Sequence, residues 1–166
     1  MLSIIVDIIG ITGFILSIIN VFCHYISNRR RITICFGKYA LNEFDRNNNK
    51  ELLIIRFKIA NLSQMPISIT RIQILVNETL FDSDVRPHIA EEFTWSHGGK
   101  PYHSVVIESK TLPININSLG AESGYIAFVV PRDKISDFEK ALNFRICTNR
   151  GKAVQKTFSL HEDVRI

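Results

Sequence analysis

Leu53-Ile54-Ile55-Arg56-Phe57-Lys58-Ile59-Ala60 is the stretch that decides the fold. Leu53, Ile55, Phe57 and Ile59 recur at every second position, with Ile54, Arg56, Lys58 and Ala60 between them. That is the period of a half-buried strand. Downstream, Asn61-Leu62-Ser63-Gln64-Met65-Pro66 reads as a turn, and Ile67 and Ile69 begin a strand that continues through Ile72, Ile74 and Val76. The phase changes between Ile69 and Ile72, which predicts a bulge near Thr70 and Arg71. Upstream, Asn42 to Lys50 is a polar loop, preceded by a strand in which Ile32, Ile34 and Phe36 alternate with Thr33 and Cys35.

Further strands are expected at Tyr102 to Glu108, Leu112 to Ile116, Gly124 to Val130, Phe144 to Thr148 and Ala153 to Leu160. Asn149-Arg150-Gly151-Lys152 is a hairpin turn in which Gly151 can take positive φ. Ser136 followed by Glu139 is a capping-box pattern, so one short helix is expected from Ser136 to Leu142. Strands at this spacing, without repeated helices between them, predict an all-β, antiparallel Ig-like β-sandwich over residues 32–166. A segment of that size suits about eight or nine strands in two sheets.

The chain ahead of this domain belongs in another solvent. Of the first 26 residues 18 are apolar, and Ile8 to Ile26 contains no Asp, Glu, Lys or Arg. As a helix these 19 residues span roughly 28 Å, close to the thickness of a hydrocarbon core. Tyr25 and then Arg29, Arg30 and Arg31 follow, an aromatic interface residue ahead of cationic anchors for lipid headgroups. A cleaved signal peptide should begin with Lys or Arg and end in small residues, and Val21-Phe22-Cys23-His24-Tyr25 offers no such site. Residues 1–28 are therefore read as a single transmembrane anchor and 29–31 as a basic juxtamembrane segment. The positive-inside rule predicts the N-terminus outside and the domain in the cytoplasm, at the cell membrane.

Placed on a helix, Ser3, Asp7, Gly10, Gly13, Ser17, Asn20 and His24 fall within an arc of about 140°. Small residues let helices approach closely in lipid, and Asn or His can hydrogen-bond across the contact. Gly10, Gly13, Ser17, Asn20 and His24 thus form a candidate packing face, for a second copy of the chain or for a membrane-protein partner.

Ile59-Ala60-Asn61-Leu62-Ser63, Pro66-Ile67-Ser68-Ile69, Leu112-Pro113-Ile114, Gly124-Tyr125-Ile126-Ala127-Phe128 and Thr148-Asn149-Arg150-Gly151 resemble parts of uncharacterised bacterial single-pass membrane proteins that carry an Ig-like β-sandwich. The resemblance implies the fold and no activity, so no functional residues carry over from it.

Chemistry-bearing motifs are few. Asp82 to Pro101 is the longest irregular stretch, with His88, Glu91, Glu92, Trp95 and His97, and His103 just beyond. No H-x₃-H or C-x₂-C spacing is present, and His88-Ile89-Ala90-Glu91-Glu92 is not the HExxH pattern. Gly120-Ala121-Glu122-Ser123-Gly124 places Glu where a nucleophile elbow needs Ser. Phe93, Trp95 and His97 are a candidate protein-contact patch; the competing reading puts Phe93 and Trp95 in a short edge strand whose aromatics fill the core.

Cys23 lies in the helix, and Cys35 and Cys147 in strands, all free thiols in a cytoplasmic domain. Only the inverted topology would make a Cys35–Cys147 disulfide possible or bring the sequons at Asn61 and Asn77 into play. The formal charge is +4, and the arginine run explains the excess better than nucleic acid does, since no RNA- or DNA-binding pattern occurs. The sequence thus points to a non-enzymatic, membrane-tethered protein-binding or scaffold module, without cofactor, metal or evident small-molecule substrate. Its partners would be the bilayer and, through the helix, its own copy or a membrane protein. The alternatives are a small subunit of a larger membrane complex acting through its helix, and a metal-dependent enzyme built on residues 82–103.

Overall fold

The structure, a computed structural model, describes residues 2–46, 48–76, 78–98, 100–134 and 141–158. Helix α1 covers Leu2–Asn28, and its stretch Ile9–Asn28 is long and apolar enough to cross a membrane. From Ile9 to Ile26 its residues are exposed, and only the last turn, at Ser27 and Asn28, meets the rest of the chain. The N-terminal helix is membrane-associated, and the described residues after it are mostly β-structure.

Ten strands are found among the described residues: β1 (Ile32–Asp45), β2 (Lys50–Asn61), β3 (Ile67–Val76), β4 (Thr79–Asp82), β5 (Ile89–His97), β6 (Lys100–Glu108), β7 (Ile114–Ile116), β8 (Ala121–Pro131), β9 (Leu142–Thr148) and β10 (Val154–Phe158). One sheet has the order β1-β2-β8 and a second the order β10-β9-β3-β4, with β7 also paired to β3. The strand pairs are antiparallel. Leu53, Ile55, Phe57 and Ile59 turn inward from the first sheet and meet Ile69, Ile72, Ile74, Phe144 and Ile146 of the second, forming one core between the two layers. The arrangement is sandwich-like, as the alternation in β2 predicts. Ile69 and Ile72 both reach this core because the β3–β9 register slips between Ile69 and Arg71, the bulge expected there.

Two expectations need correction. Asn42 to Asp45 are not loop: β1 runs on to Asp45, because a register shift between Phe36 and Tyr39 keeps Tyr39 and Leu41 against the core and the pairing with β2 intact. Asp82 to Pro101 is not one irregular stretch. Among the described residues of this stretch Asp84 to His88 and the turn residue Gly98 lack strand structure, and the others belong to β4, an isolated bridge at Ser83 and the β5–β6 hairpin, a separate two-stranded sheet. Most of the polar residues that make it read as loop lie on this ribbon, which is exposed on both faces from Glu92 to Ser96. The helix expected from Ser136 to Leu142 falls mostly outside the described residues, and its last residue, Leu142, opens β9. The expected strand at Ala153 to Leu160 is β10, and residues 159–160 lie outside the described residues.

The hairpin explains a second feature of β2. Ile54 is 2% exposed although it faces away from the main core. Leu52, Ile54, Tyr125 and Ala127 form a second buried cluster on the outer face of the first sheet, roofed by Ala90 and Ile107 of the hairpin. β2 and β8 are therefore covered on both faces along this part, which is why both sequences hold unbroken apolar runs there.

Candidate functional site

Two regions stand out, the hairpin arm and the junction between helix and sandwich. In the arm, Glu91 pairs with Ile107, Phe93 with Val105 and Trp95 with His103, so alternation places all six on one face. The start of that face is docked. The Tyr125 hydroxyl donates a hydrogen bond to the Glu91 carboxylate, and Ile107 packs on the second cluster. Burial, and then the bond to Glu91, push the Tyr125 hydroxyl up to about 12, so it stays a donor at every ordinary pH. Further along, the same face is uncovered: Phe93 is 48% exposed and Trp95 45%. The Trp95 ring stacks on His103 at 5.2 Å, and Phe93 lies 6.4 Å from Trp95.

The structure brings Phe93 and Trp95 together in a strand, as the edge-strand reading held, but they do not fill the core. They project beyond it. His97 ends β5 in register with Lys100. Val105 completes the patch, and the sequence concealed it because the pairing of β6 with β5 is not written in either strand alone.

The base of the arm is pinned by a polar cluster. The Arg86 backbone N–H donates to Asp84 at 3.0 Å, and His88 Nε2 lies 2.9 Å from the same carboxylate, which places the proton on Nε2. Burial pushes the Asp84 carboxyl up, but the hydrogen bonds from Arg86 and His88 outweigh it and hold the group below the ordinary carboxylate value. Ser109 is buried and is joined to His88 by two hydrogen bonds, its N–H donating to the His88 carbonyl at 2.7 Å and its Oγ accepting from the His88 N–H at 2.9 Å. That Oγ is committed to a backbone amide, so it is not arranged as a nucleophile for the Asp84–His88 pair. Beside this cluster, an open groove is lined by Glu108, Lys110, Pro113 and Glu122, with Lys110 and Glu122 paired to each other. Among the described residues no three His, Cys, Asp or Glu side chains converge as a metal site would require.

At the junction, the helix meets the sandwich through its last carbonyls. Arg150 Nη2 donates to the Asn28 carbonyl at 2.7 Å, and the Gln64 N–H donates to the Ser27 carbonyl at 3.2 Å. A helix C-terminus leaves such carbonyls without internal partners and carries partial negative charge, so a guanidinium there is doubly favourable. In return, Arg30 Nη1 donates to Thr148 Oγ1, the Arg150 carbonyl and the Lys152 carbonyl. Gly151, at φ 72°, lies between them, and a Cβ on it would come 3.3 Å from Arg30 Cζ. Of the arginine run, Arg29 and Arg30 line a recess with Tyr25, Asn28, Arg150 and Gly151, while Arg31 does not. Arg150 was not legible as a site residue because its partners lie some 120 positions away.

Along α1, Gly10 and Gly13 have open space beside them, Ser17 and Asn20 are exposed, and His24 Nε2 lies 2.8 Å from Asn28 Nδ2 on the next turn. Cys23, Cys35 and Cys147 are free. Cys35 and Cys147 follow core-facing Ile34 and Ile146 in different sheets and point outward from both, so no disulfide could join them in either topology. Asn61 is fully buried. Its Nδ2 donates to the Met65 and Asn117 carbonyls, and its Oδ1 accepts from the Ser63 N–H and hydroxyl. The first sequon is thus a structural turn, inaccessible to a glycan in the folded chain. Asn77 lies outside the described residues.

No protein-family model matches the chain, and no curated protein matches it. Among solved structures it is similar to a "putative lipoprotein (ycdA)" from Bacillus subtilis, at 14% identity and a TM-score of 0.49. That likeness covers 83% of this chain and 39% of the lipoprotein.

Proposed function

We propose that the chain is a single-pass, membrane-tethered, non-enzymatic binding module whose Ig-like sandwich stands in the cytoplasm and whose β5–β6 arm contacts another protein. The observation that carries this reading is the arm itself, docked at its base and apolar on the same face where it runs free. Aromatic residues so placed are the usual anchors of protein contacts. The Ig-like reading is supported by strand order: β1-β2-β8 facing β10-β9-β3-β4 follows the A-B-E and G-F-C-C′ arrangement, with the arm as an insertion before the third strand of the first sheet.

A photo-crosslinker at Val105 of the full-length chain should give a discrete crosslinked product in cells. One at exposed Leu119, in the turn before β8, should give none. Equal products from both positions, or none from Val105, would reject the arm as a contact. Orientation has its own test in exposed Cys35. A membrane-impermeant maleimide should leave it unlabelled in intact cells and label it after permeabilisation, and labelling of intact cells overturns the cytoplasmic placement.

A second reading, a small subunit acting through its helix, rests on the small and polar residues Gly10, Gly13, Ser17 and Asn20 that share one face of α1. Gly13→Ile with Asn20→Leu should then abolish crosslinked oligomers or partner capture, and unchanged assembly removes this reading.

A further inference from the structure

The junction recess holds more positive charge than the described residues neutralise. Arg29, Arg30 and Arg150 line it together, and none of its lining residues is acidic. Arg30 and Arg150 are held side by side because each guanidinium bonds to the backbone of the other's segment. Among the described residues their hydrogen bonds go to neutral carbonyl and hydroxyl oxygens, and no acidic side chain is paired with either guanidinium. Arg150 Nη1 is buried and has no hydrogen-bond partner among the described residues. A buried N–H of a charged group without an acceptor is costly, and an oxyanion is the partner that a guanidinium fork fits best. The recess, of about 510 Å³, opens at the C-terminal end of the membrane-associated helix beside Tyr25, the level of lipid headgroups.

We propose that this recess is a phosphate site, and that its occupant is the phosphate of an anionic phospholipid, held by Arg29, Arg30 and Arg150. The bound lipid fixes the sandwich against the bilayer surface. The site differs from diffuse attraction of an arginine run to a charged leaflet because it needs Arg150, from the β9–β10 turn, and does not need Arg31. It rests on α1 lying in the bilayer, which alkaline carbonate extraction of the full-length chain tests separately.

The experiment uses the full-length chain in neutral detergent, titrated with phosphatidylglycerol carrying a fluorescent acyl chain and read by anisotropy. Arg150→Gln and Arg29→Gln should each weaken binding about tenfold, the size expected for one charge-assisted hydrogen bond. Arg31→Gln removes the same charge outside the recess and should change binding less than about twofold. Arg29→Gln keeps the test valid if Arg150→Gln loosens the junction, since Arg29 is exposed. Displacement of the lipid by millimolar inorganic phosphate would assign the oxyanion site to free phosphate as well and overturn the lipid as its specific occupant; no displacement supports the lipid. Equal losses from all three variants would show diffuse attraction and overturn the site, as would binding unchanged in Arg150→Gln and Arg29→Gln.

Discussion

Ile54 and Ile55 are neighbours on β2 with opposite surroundings, and truncating each in turn tests whether the arm is truly docked. In a strand with one wet face, Ile54→Ala would alter stability by less than about 0.5 kcal/mol. Ile54 is instead 2% exposed and Ile55 0%. Truncation removes three carbons, which at about 0.8 kcal/mol each gives about 2.4 kcal/mol of lost burial at either position. Ile55 lies between two laddered sheets that cannot close on the void, so the cavity raises its cost to about 3–5 kcal/mol. Ile54 is roofed by Ala90 and Ile107 on a two-stranded ribbon that can settle, so its cost should remain near about 2–2.5 kcal/mol. Urea unfolding of the full-length chain in detergent, followed by far-ultraviolet circular dichroism, gives both numbers. Hydrogen exchange supplies the location: Ile54→Ala should accelerate amides of residues 89–108 beyond those of the sandwich, and Ile55→Ala should not. A loss below about 0.5 kcal/mol for Ile54→Ala, or unchanged exchange in the hairpin, would mean that the arm does not pack on the sheet.

The hydrogen bonds that hold Asp84 below the usual value of 3.8 contribute stability that is complete above that pH and is lost as pH falls through the depressed value of the folded state. Between pH 5 and pH 2.5, Asp84→Asn should therefore lose less stability than the parent, measured by unfolding at each pH. Gly151→Ala should cost about 1–2 kcal/mol, because its φ is 72° and the new Cβ would press on Arg30, and thermal melting reports it. Asn61→Ala should cost about 2–4 kcal/mol in the same assay, because Asn61 is fully buried and its loss leaves the buried Ser63 N–H and hydroxyl without their acceptor and the Met65 and Asn117 carbonyls without their donor.

The main core was legible wherever one strand carries its own record of burial. Leu53, Ile55, Phe57 and Ile59 show it by period, and the slip from Ile69 to Ile72 marks the bulge in the same way. Local period failed where the covering element comes from elsewhere in the chain. Ile54 resembles a residue of a solvent face until β5 and β6, some 35 to 55 positions later, fold over it. The arm was hidden for the converse reason: Phe93 and Trp95 alternate correctly, but Glu91, Glu92, His97 and Gly98 around them gave the segment the polarity of a loop. The junction illustrates the same limit with charge. Arg29, Arg30 and Arg31 are equivalent in sequence, and only the turn carrying Arg150 and Gly151 separates the two that line the recess from the one that does not.

The junction also determines what the helix can transmit. Three residues separate the end of α1 from the start of β1, and the Ser27, Asn28 and Arg31 carbonyls all accept hydrogen bonds from the sandwich. A linker that short, with its carbonyls taken, leaves little freedom for the domain to swivel about the helix axis. Rotation of α1 is therefore rotation of the sandwich, and with it of the arm docked on the outer face of the first sheet. A partner helix seated on Gly10, Gly13 and Asn20 would fix the direction in which Phe93 and Trp95 point. The two candidate contacts then need not compete as explanations, because a rigid junction makes the choice of helix face a choice of arm direction. Lengthening the 29–31 segment by flexible residues would separate them, leaving helix association intact while releasing the arm from any orientation it sets.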